Sequence, residues 1–208
     1  MLQDISETLK KALLGINIKP DERLTSAFTI YLKELLRWNK TYNLTAITEP
    51  KEIVYKHFID SLLYDIFIDQ KDAVLCDIGS GAGFPGIPLK IFRKDLKVTL
   101  IEPSRKKTAF LTDIRTRLGL SDIEIIQDRA ENIRDRTFDI VVSRALFKIP
   151  DLIKSSEKIL RHDGYIIVSK GTKGEDELRL INDTYLYETK SLEIEGIKRL
   201  LIRIRSKG

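Results

Sequence analysis

The 208-residue sequence predicts an α/β fold of the Rossmann-like type, in which helices flank a mostly parallel sheet. From residue 73 onward, short β-branched runs alternate with amphipathic stretches, as expected for parallel strands joined by helical crossovers. A glycine-rich string follows the first of these runs, where such folds place a ligand loop. The first 70 residues instead repeat apolar side chains at helical spacing, which predicts an N-terminal helical extension.

The elements follow in order along the chain. An apolar stripe from Leu24 to Leu36 predicts a helix that ends near Trp38, with a loop over Asn39–Pro50 and a further helix over Glu52–Phe67. The predicted strands are Ala73–Ile78, Val98–Ile101, Ile123–Ile126, Phe138–Val142 and Tyr165–Val168. The helices between them are Pro85–Phe92, Arg105–Leu118 and Pro150–Leu160, and a C-terminal antiparallel hairpin pairs Tyr185–Thr189 with Arg199–Ile204. We expect a helical extension over residues 1–70 and a ligand-binding domain over residues 71–208, packed as one compact unit.

Composition indicates a folded protein with a small basic surplus. Hydrophobic residues make up 42% of the chain and charged residues 32%, values that exclude a disordered protein. No apolar run reaches the length of about 18 residues that a membrane helix needs, and the first residues lack the apolar segment of a signal peptide. The single cysteine, Cys76, and the distant His57 and His162 predict no metal centre. We therefore expect a cytoplasmic protein, and a net charge of +5 is compatible with a polyanionic partner.

The glycine-rich string is the strongest local signal. Asp77 precedes Gly79, Gly81 and Gly83, and the string lies between a predicted strand and a predicted helix. Glycines there let the backbone turn sharply and approach a ligand closely. Glu102 ends the second strand, where a ribose-binding carboxylate is expected. The spacing alone fits both a nicotinamide dinucleotide and S-adenosylmethionine (SAM), and it leaves the choice open.

Three features favour SAM. The carboxylate of Asp77 suits a cationic, amine-bearing ligand and would repel a pyrophosphate. Pro85 and Pro88 remove N–H donors that bound phosphates need. Asp128 begins an acidic loop after the third strand, which can accept a hydrogen bond from an adenine amino group. A solvated turn capped by Asp128 is an equally good interpretation of that residue by itself.

Several longer strings resemble one known family. They are Trp38–Thr45, His57–Ser61, Asp77–Pro88, Arg129–Glu131 and Ser143–Ala145, and they span roughly residues 35 to 171. In these strings the chain resembles the bacterial glucose-inhibited division protein B (RsmG) family, the guanine-N7 methyltransferases of small-subunit ribosomal RNA.

The resemblance implies a class I SAM-dependent methyltransferase fold with N-terminal helices. It implies methylation of guanine N7 in the 530 loop of 16S rRNA, at the position usually numbered 527, with S-adenosylhomocysteine as the other product. We expect a monomer that acts on the rRNA or on the small ribosomal subunit or its precursor. In the family's pattern the SAM contacts fall on Gly79, Phe84, Ala130, Glu131 and Arg144. Together with the motif residues, the predicted cofactor site comprises Asp77, Gly79, Gly81, Gly83, Phe84, Glu102, Asp128, Ala130, Glu131 and Arg144.

The expected chemistry makes few demands on side chains. Guanine N7 has a free lone pair and no proton to lose, so we expect alignment of the reactants and no general base. Arg144 ends the fourth strand at the ligand crevice, where its guanidinium can position the cofactor or the base. A structural ion pair with a nearby acid is the alternative for Arg144. His57 and Asp60 share a helix face and either contact ligand or RNA or form a structural pair.

A basic rim is the predicted RNA contact. Its members follow strand ends, and Lys170 is the best single candidate because it ends the fifth strand at the crevice; the set is Arg105, Lys106, Arg129, Lys148 and Lys170. Each of these charges taken alone is equally well explained as a solvated surface group. Two rival functions stay open: an NAD(P)-dependent oxidoreductase of the same fold, and a non-catalytic RNA-binding or ribosome-assembly factor.

Overall fold

The structure is a computed structural model that describes residues 2–144, 147–171, 174–181 and 183–207. Ala145, in the last of the family-like strings, lies outside these residues. The strands are β1 Val74–Ile78, β2 Lys97–Ile101, β3 Ile123–Ile126, β4 Phe138–Arg144, β5 Leu160–Lys170, β6 Tyr185–Ile194 and β7 Ile197–Ser206. The α-helices are α1 Leu2–Leu14, α2 Glu22–Tyr42, α3 Pro50–Ile53, α4 Asp60–Leu62, α5 Gly86–Phe92, α6 Arg105–Arg117, α7 Ile149–Ser156 and α8 Gly174–Leu178. A π-helix spans Val54–Ile59, and 3₁₀ turns span Leu63–Phe67 and Ala130–Asn132.

The seven strands form one sheet in the order β3-β2-β1-β4-β5-β7-β6. Strands β1 to β5 pair in parallel, and β7 pairs antiparallel with both β5 and β6. The predicted fold class is therefore confirmed, including the C-terminal hairpin. Because β1 to β4 run the same way, the loops that follow them all lie at one edge of the sheet.

Three predicted boundaries were wrong. Helix α2 continues through Asn39 to Tyr42 and ends only at Asn43, whose left-handed backbone (φ 48°) stops the helix. The segment predicted as one helix from Glu52 contains the π-helix in its middle. Helix α7 ends at Ser156, and Leu160 already belongs to β5, where it pairs with Phe138 of β4.

The helices before residue 70 form a layer on one face of the sheet. One hydrophobic core joins Leu9, Phe28 and Phe58 of this layer with Leu75 and Leu100 of the sheet. A second core, on the other face, is built around alternate strand residues such as Cys76. The layer therefore packs on the sheet without a separate core, and a domain boundary near residue 70 stays a prediction. Within the described ranges, no helix combines the length and hydrophobicity that crossing a bilayer requires.

Candidate active site

The glycine loop follows β1 and turns back toward helix α5. Gly79, Gly81 and Gly83 all have a left-handed backbone, with φ of 70°, 60° and 96°. Only glycine adopts these angles without strain, which explains why three of them stand here. A Cβ on Gly81 would have only a carbonyl oxygen 3.9 Å away, so the backbone there faces open space.

Helix α2 supports the loop from behind. The Tyr31 hydroxyl donates a hydrogen bond of 2.5 Å to the carbonyl oxygen of Ala82. A Cβ on Gly83 would lie 2.6 Å from that hydroxyl oxygen and 2.7 Å from Cγ1 of Ile87. The loop is therefore open to solvent at Gly81 and tightly packed at Gly83, and Tyr31 is a supporting residue that the sequence motifs did not predict.

Two buried carboxylates lie against the loop. Asp77 accepts a hydrogen bond of 2.9 Å from the Gly86 N–H through Oδ2, whereas its Oδ1 has no partner among the described residues. Burial raises the pKa of Asp77 to about 7. Glu102 accepts one bond of 2.9 Å from the N–H of Gly81 and another of 2.9 Å from the N–H of Ser104. Asp77 thus keeps an unused oxygen, while Glu102 fixes the loop at the end of β2.

The start of α5 lacks the free donors that a dinucleotide phosphate needs. Pro85 and Pro88 have no N–H. The Gly86 N–H binds Asp77, and the Ile87 N–H binds the carbonyl oxygen of Gly83 at 2.8 Å. Because the backbone donors of this first turn are absent or engaged, the loop cannot bind a phosphate as a dinucleotide site does.

Arg144, at the end of β4, is the centre of a second cluster. Its Nη1 donates 2.7 Å to the carbonyl oxygen of Lys56 and lies 3.4 Å from Oδ2 of Asp60. Its Nη2 donates 2.8 Å to Nδ1 of His57, and its guanidinium carbon lies 5.1 Å from the ring centre of Phe84. The ion pair with Asp60 means that the structural alternative holds for part of the Arg144 side chain.

The ring of His57 stacks on Phe84 and has a hydrogen-bond partner at each nitrogen. Its ring lies 4.5 Å from the ring of Phe84, with 19° between the planes, and its Nε2 is 2.8 Å from Oγ1 of Thr45. Burial and the neighbouring Arg144 guanidinium lower the pKa of His57 to about 3. His57 is therefore neutral at physiological pH.

Comparison with known proteins identifies the family. The chain matches the family described as rRNA small subunit methyltransferase G over residues 24–201. It is 44% identical to the ribosomal RNA small subunit methyltransferase G of Aquifex aeolicus over 162 residues, 76% of this chain and 81% of the relative. It is 42% identical to the protein of that name from Desulforamulus reducens over 184 residues, 86% of this chain and 77% of the relative. The chain belongs to the rRNA small subunit methyltransferase G family.

Solved structures agree on the fold. A SAM-dependent methyltransferase from Aquifex aeolicus superposes with a TM-score of 0.57 at 17% identity, covering 75% of this chain and 93% of that one. M. jannaschii TYW2 in complex with AdoMet gives a TM-score of 0.57 at 16% identity, covering 77% and 79%. At such identities the likeness concerns the fold alone, and that fold is the methyltransferase one expected of this family.

In this member of the methyltransferase G family, the loop after β3 lies at the same sheet edge as the glycine loop, with the end of β2 between them. Oδ1 of Asp128 accepts hydrogen bonds from the Arg129 N–H at 2.7 Å and from the Asn132 side chain at 2.6 Å. Asp128 therefore holds the short turn in place from one residue before its N-cap, Arg129, and does not cap it, and its other oxygen makes neither of these bonds. Ala130 is buried and Glu131 exposed, and their contact with a cofactor stays a prediction.

The predicted rim residues differ in their exposure to solvent and in their bonding partners. Arg105, Arg129 and Lys148 are exposed, and Lys106, also exposed, donates 2.8 Å to the Tyr42 carbonyl oxygen. Lys170 is instead only 10% exposed in its side chain. It pairs with Glu177 at 2.8 Å and also donates to the carbonyl oxygen of Phe147. The geometry therefore does not favour Lys170 as the leading RNA contact.

Two further side chains near the cluster escaped sequence analysis because their partners are distant in the chain. The Tyr64 hydroxyl donates 2.8 Å to the Ser143 carbonyl oxygen and accepts 3.0 Å from the Ser169 N–H, at the ends of β4 and β5. Arg199 of β7 donates 2.6 Å to Oδ1 of Asp60. No local pattern distinguishes these residues from ordinary core tyrosines and surface arginines. Among the residues that the structure covers, no group of three or more His, Cys, Asp or Glu side chains could hold a metal ion.

Proposed function

We propose that this chain is a SAM-dependent methyltransferase that modifies N7 of the predicted 530-loop guanine in 16S rRNA. The observation that carries the cofactor assignment is the buried Oδ1 of Asp77, which has no hydrogen-bond partner among the described residues and lies beside an open glycine loop. A buried carboxylate oxygen without a donor is costly, and an amine-bearing cation is the ligand that best satisfies it. The family membership supports the reaction and the RNA substrate.

The residues around the loop fit SAM better than a dinucleotide. Gly79, Gly81 and Gly83 allow close approach of a ligand, and Asp77 offers its free oxygen to the amino group or the sulfonium. Glu102 lies at the end of β2, and we propose that it also accepts from the ribose hydroxyls. Asp128, Ala130 and Glu131 complete the adenine side in this proposal, with Phe84 and Arg144 on the methyl side.

When bound, SAM would supply an electrophilic methyl group, which N7 takes with its lone pair as S-adenosylhomocysteine is released. Arg144 carries two N–H groups beyond those bonded to Lys56, Asp60 and His57 among the described residues. We propose that these donors hold the cofactor or the guanine in line for transfer. Both ring nitrogens of His57 are engaged, which supports a reaction without a histidine base.

The RNA side of the proposal rests on charge. Arg105, Lys106, Arg129 and Lys148 follow parallel strands and so lie at the same sheet edge as Arg144. Phosphate contacts from such residues position an RNA without reading its sequence. We propose these four residues as stronger candidates for RNA contact than Lys170. We further propose that the protein is a cytoplasmic monomer that needs no metal.

One experiment tests the function against both rivals. Purified protein is titrated with SAM and, separately, with NADH, and it is then given labelled SAM and undermethylated 16S rRNA or small subunits. We expect SAM binding, no NADH binding, and label at one guanine that shows the cleavage chemistry of 7-methylguanine. Binding of NADH alone would replace the proposal with the oxidoreductase. SAM-independent RNA binding without label transfer would replace it with the assembly factor.

A further inference from the structure

The family-like string that ends at Thr45 is joined to Arg144 through a chain of hydrogen bonds. The Asn39 side chain holds both backbone groups of Thr45: its Nδ2 donates to the carbonyl oxygen and its Oδ1 accepts from the N–H, each at 2.9 Å. The Thr45 hydroxyl oxygen lies 2.8 Å from Nε2 of His57, and Nδ1 of His57 lies 2.8 Å from Nη2 of Arg144. Four side chains from three separate segments are therefore linked in series.

The chemistry of arginine sets the direction of the hydrogen bonds on both sides of the His57 ring. A guanidinium has donors only, so Nδ1 of His57 must accept and carries no proton. The neutral ring then bears its proton on Nε2 and donates it to the Thr45 hydroxyl oxygen. The Thr45 hydroxyl oxygen is an acceptor here, and it also accepts a bond of 3.2 Å from the Ile47 N–H, while Asn39 holds the Thr45 backbone. The opposite tautomer would place an N–H against the guanidinium, which has no acceptor, so a single tautomer is compatible with the cluster.

The ring of His57 is also fixed in its plane. It stacks on Phe84 at 4.5 Å and belongs to the π-helix between α3 and α4, a widened turn that is often found at functional sites. Asp60, just after this π-helix, contacts Arg144 at 3.4 Å and Arg199 at 2.6 Å. Arg144 is thus held on one side by a neutral acceptor and on the other by a shared carboxylate.

From this geometry we infer that His57, fixed by Asn39 and Thr45, is a positioning residue that orients Arg144 for methyl transfer. The inference rests on the proposed function, in which Arg144 aligns cofactor and guanine. Asp60 balances charge between two arginines, while His57 sets the angle of the guanidinium without competing for its charge. The otherwise unexplained string from Trp38 to Thr45 then has a role at the site without touching either substrate.

Three substitutions at His57 separate positioning from simple packing. His57→Phe keeps the stacked ring but removes both nitrogens. His57→Asn can place its amide oxygen near the position of Nδ1 and so keeps an acceptor for Arg144. His57→Gln reaches the position of Nε2 and restores only the bond to Thr45. Single-turnover methyl transfer at saturating SAM and RNA should fall about 10- to 100-fold in His57→Phe and His57→Gln, and His57→Asn should recover about fivefold or more of that loss.

The opposite order would overturn the inference. If methyl transfer by His57→Gln is as fast as or faster than that by His57→Asn, the bond to Thr45 is the one that matters, and the orientation of Arg144 does not depend on His57. Wild-type rates in His57→Phe would overturn it equally. If the His57 variants do not fold, Thr45→Val serves instead, with an expected loss of about 3- to 10-fold. Thr112→Val is its matched control, because Thr112 makes a comparable hydroxyl bond of 2.9 Å on α6, away from the cluster. A loss in Thr112→Val as large as in Thr45→Val would contradict a specific link.

A readout without catalysis keeps this inference separate from the proposed function. The chain has two histidines, so nitrogen NMR of the imidazoles is readily assigned. We expect His57 as the neutral Nε2–H tautomer from pH 5 to 8, and the Nδ1–H tautomer or a charged ring at pH 7 would overturn the hydrogen-bond chain. Failure of the wild type to methylate guanine, with the expected tautomer present, would instead count against the proposed function alone.

Discussion

The two walls of the crevice are built in different ways. In the glycine-loop wall the partners of the two carboxylates are near in sequence: Asp77 binds a residue 9 positions away, and Glu102 binds one 21 positions away, although Tyr31 supports the loop from 51 positions away. In the Arg144 wall the partners are remote: Arg144 binds His57 87 positions away, and Asp60 binds Arg199 139 positions away. The first wall can therefore be recognised in a sequence, whereas the second exists only once the chain has folded.

The walls also differ in what they leave unsatisfied. In the loop wall, a buried oxygen of Asp77 has no donor in the part of the chain that the structure describes, while the Arg144 wall pairs its acid, Asp60, with two arginines. A ligand cation is thus favoured at the loop wall, and groups with acceptor atoms are favoured beside Arg144. This difference fits a site that holds a cationic donor on one side and a nucleobase on the other.

The largest effect is expected within the loop wall. Gly83→Ala should lower the free energy of unfolding by about 2–5 kcal/mol, because its Cβ would collide with Tyr31 and Ile87 in a left-handed backbone. Gly81→Ala, the matched control, adds only backbone strain of about 1–2 kcal/mol, since no side chain lies near its Cβ. The main effect of Gly81→Ala should instead be weaker SAM binding. Urea unfolding and SAM titration of both variants provide the measurements, and equal stabilities would contradict the packing at Gly83.

In the Arg144 wall the effect should fall on the rate. Arg144→Lys keeps the charge but loses the planar set of donors, so single-turnover methyl transfer should drop about 100-fold, and Arg144→Ala should do no better. The wild-type rate at saturating SAM and RNA should change little between pH 6 and 9. Near-full activity in Arg144→Ala would show that Arg144 has no role at the site. A rise of the wild-type log rate with pH at a slope near one would show that a base must be deprotonated.

Asp77 predicts a pH dependence that belongs to the loop wall. Its folded pKa of about 7 lies above the ordinary value of 3.8, so the native state binds the proton more tightly. The free energy of unfolding should therefore decrease as pH rises from about 4 to about 7 and then level off, by a few kcal/mol at most. Asp77→Asn should remove this decrease, so the difference between variant and wild type at pH 5 and pH 8 is the measurement. SAM should also bind the wild type more tightly at pH 8 than at pH 6. If Asp77→Asn shows the same pH dependence as the wild type in both stability and SAM binding, Asp77 does not have this role.

The smallest effects are expected outside both walls. Lys148→Ala should reduce the log–log salt dependence of RNA binding by about one unit, as expected for one lost phosphate contact. Lys170→Ala should leave that slope unchanged and lower stability, because it breaks the pair with Glu177. A larger slope change in Lys170→Ala than in Lys148→Ala would restore Lys170 as the rim residue.

Sequence reasoning succeeded where structure follows from local pattern. The five parallel strands, the hairpin and the glycine loop each have a periodicity or a turn residue that predicts them. The end of α2 was misplaced because Asn39 resembles a loop residue, although its side chain is used to fix Thr45. The pairing of Lys170 was missed because the short helix α8, which carries Glu177 only seven positions later, was not predicted from the sequence. The residue type determines which hydrogen bonds and ion pairs a side chain can form, and only the tertiary structure shows which of them it forms.

The strand order has a consequence for assembly. Strand β6 precedes β7 in the chain, yet within the sheet it is attached only to β7, which lies between it and β5. The two-residue turn at Glu195 and Gly196, with φ of 50° and 75°, joins the two strands of the hairpin through contacts that are local in the sequence. The pairing of β7 with β5 brings Arg199 to Asp60, so the strand that carries β6 also completes the charge balance beside Arg144. Without that pairing Asp60 would lose one of its two arginines, while the hydrogen bonds that hold the glycine loop to Asp77 and Glu102 involve no residue of the hairpin.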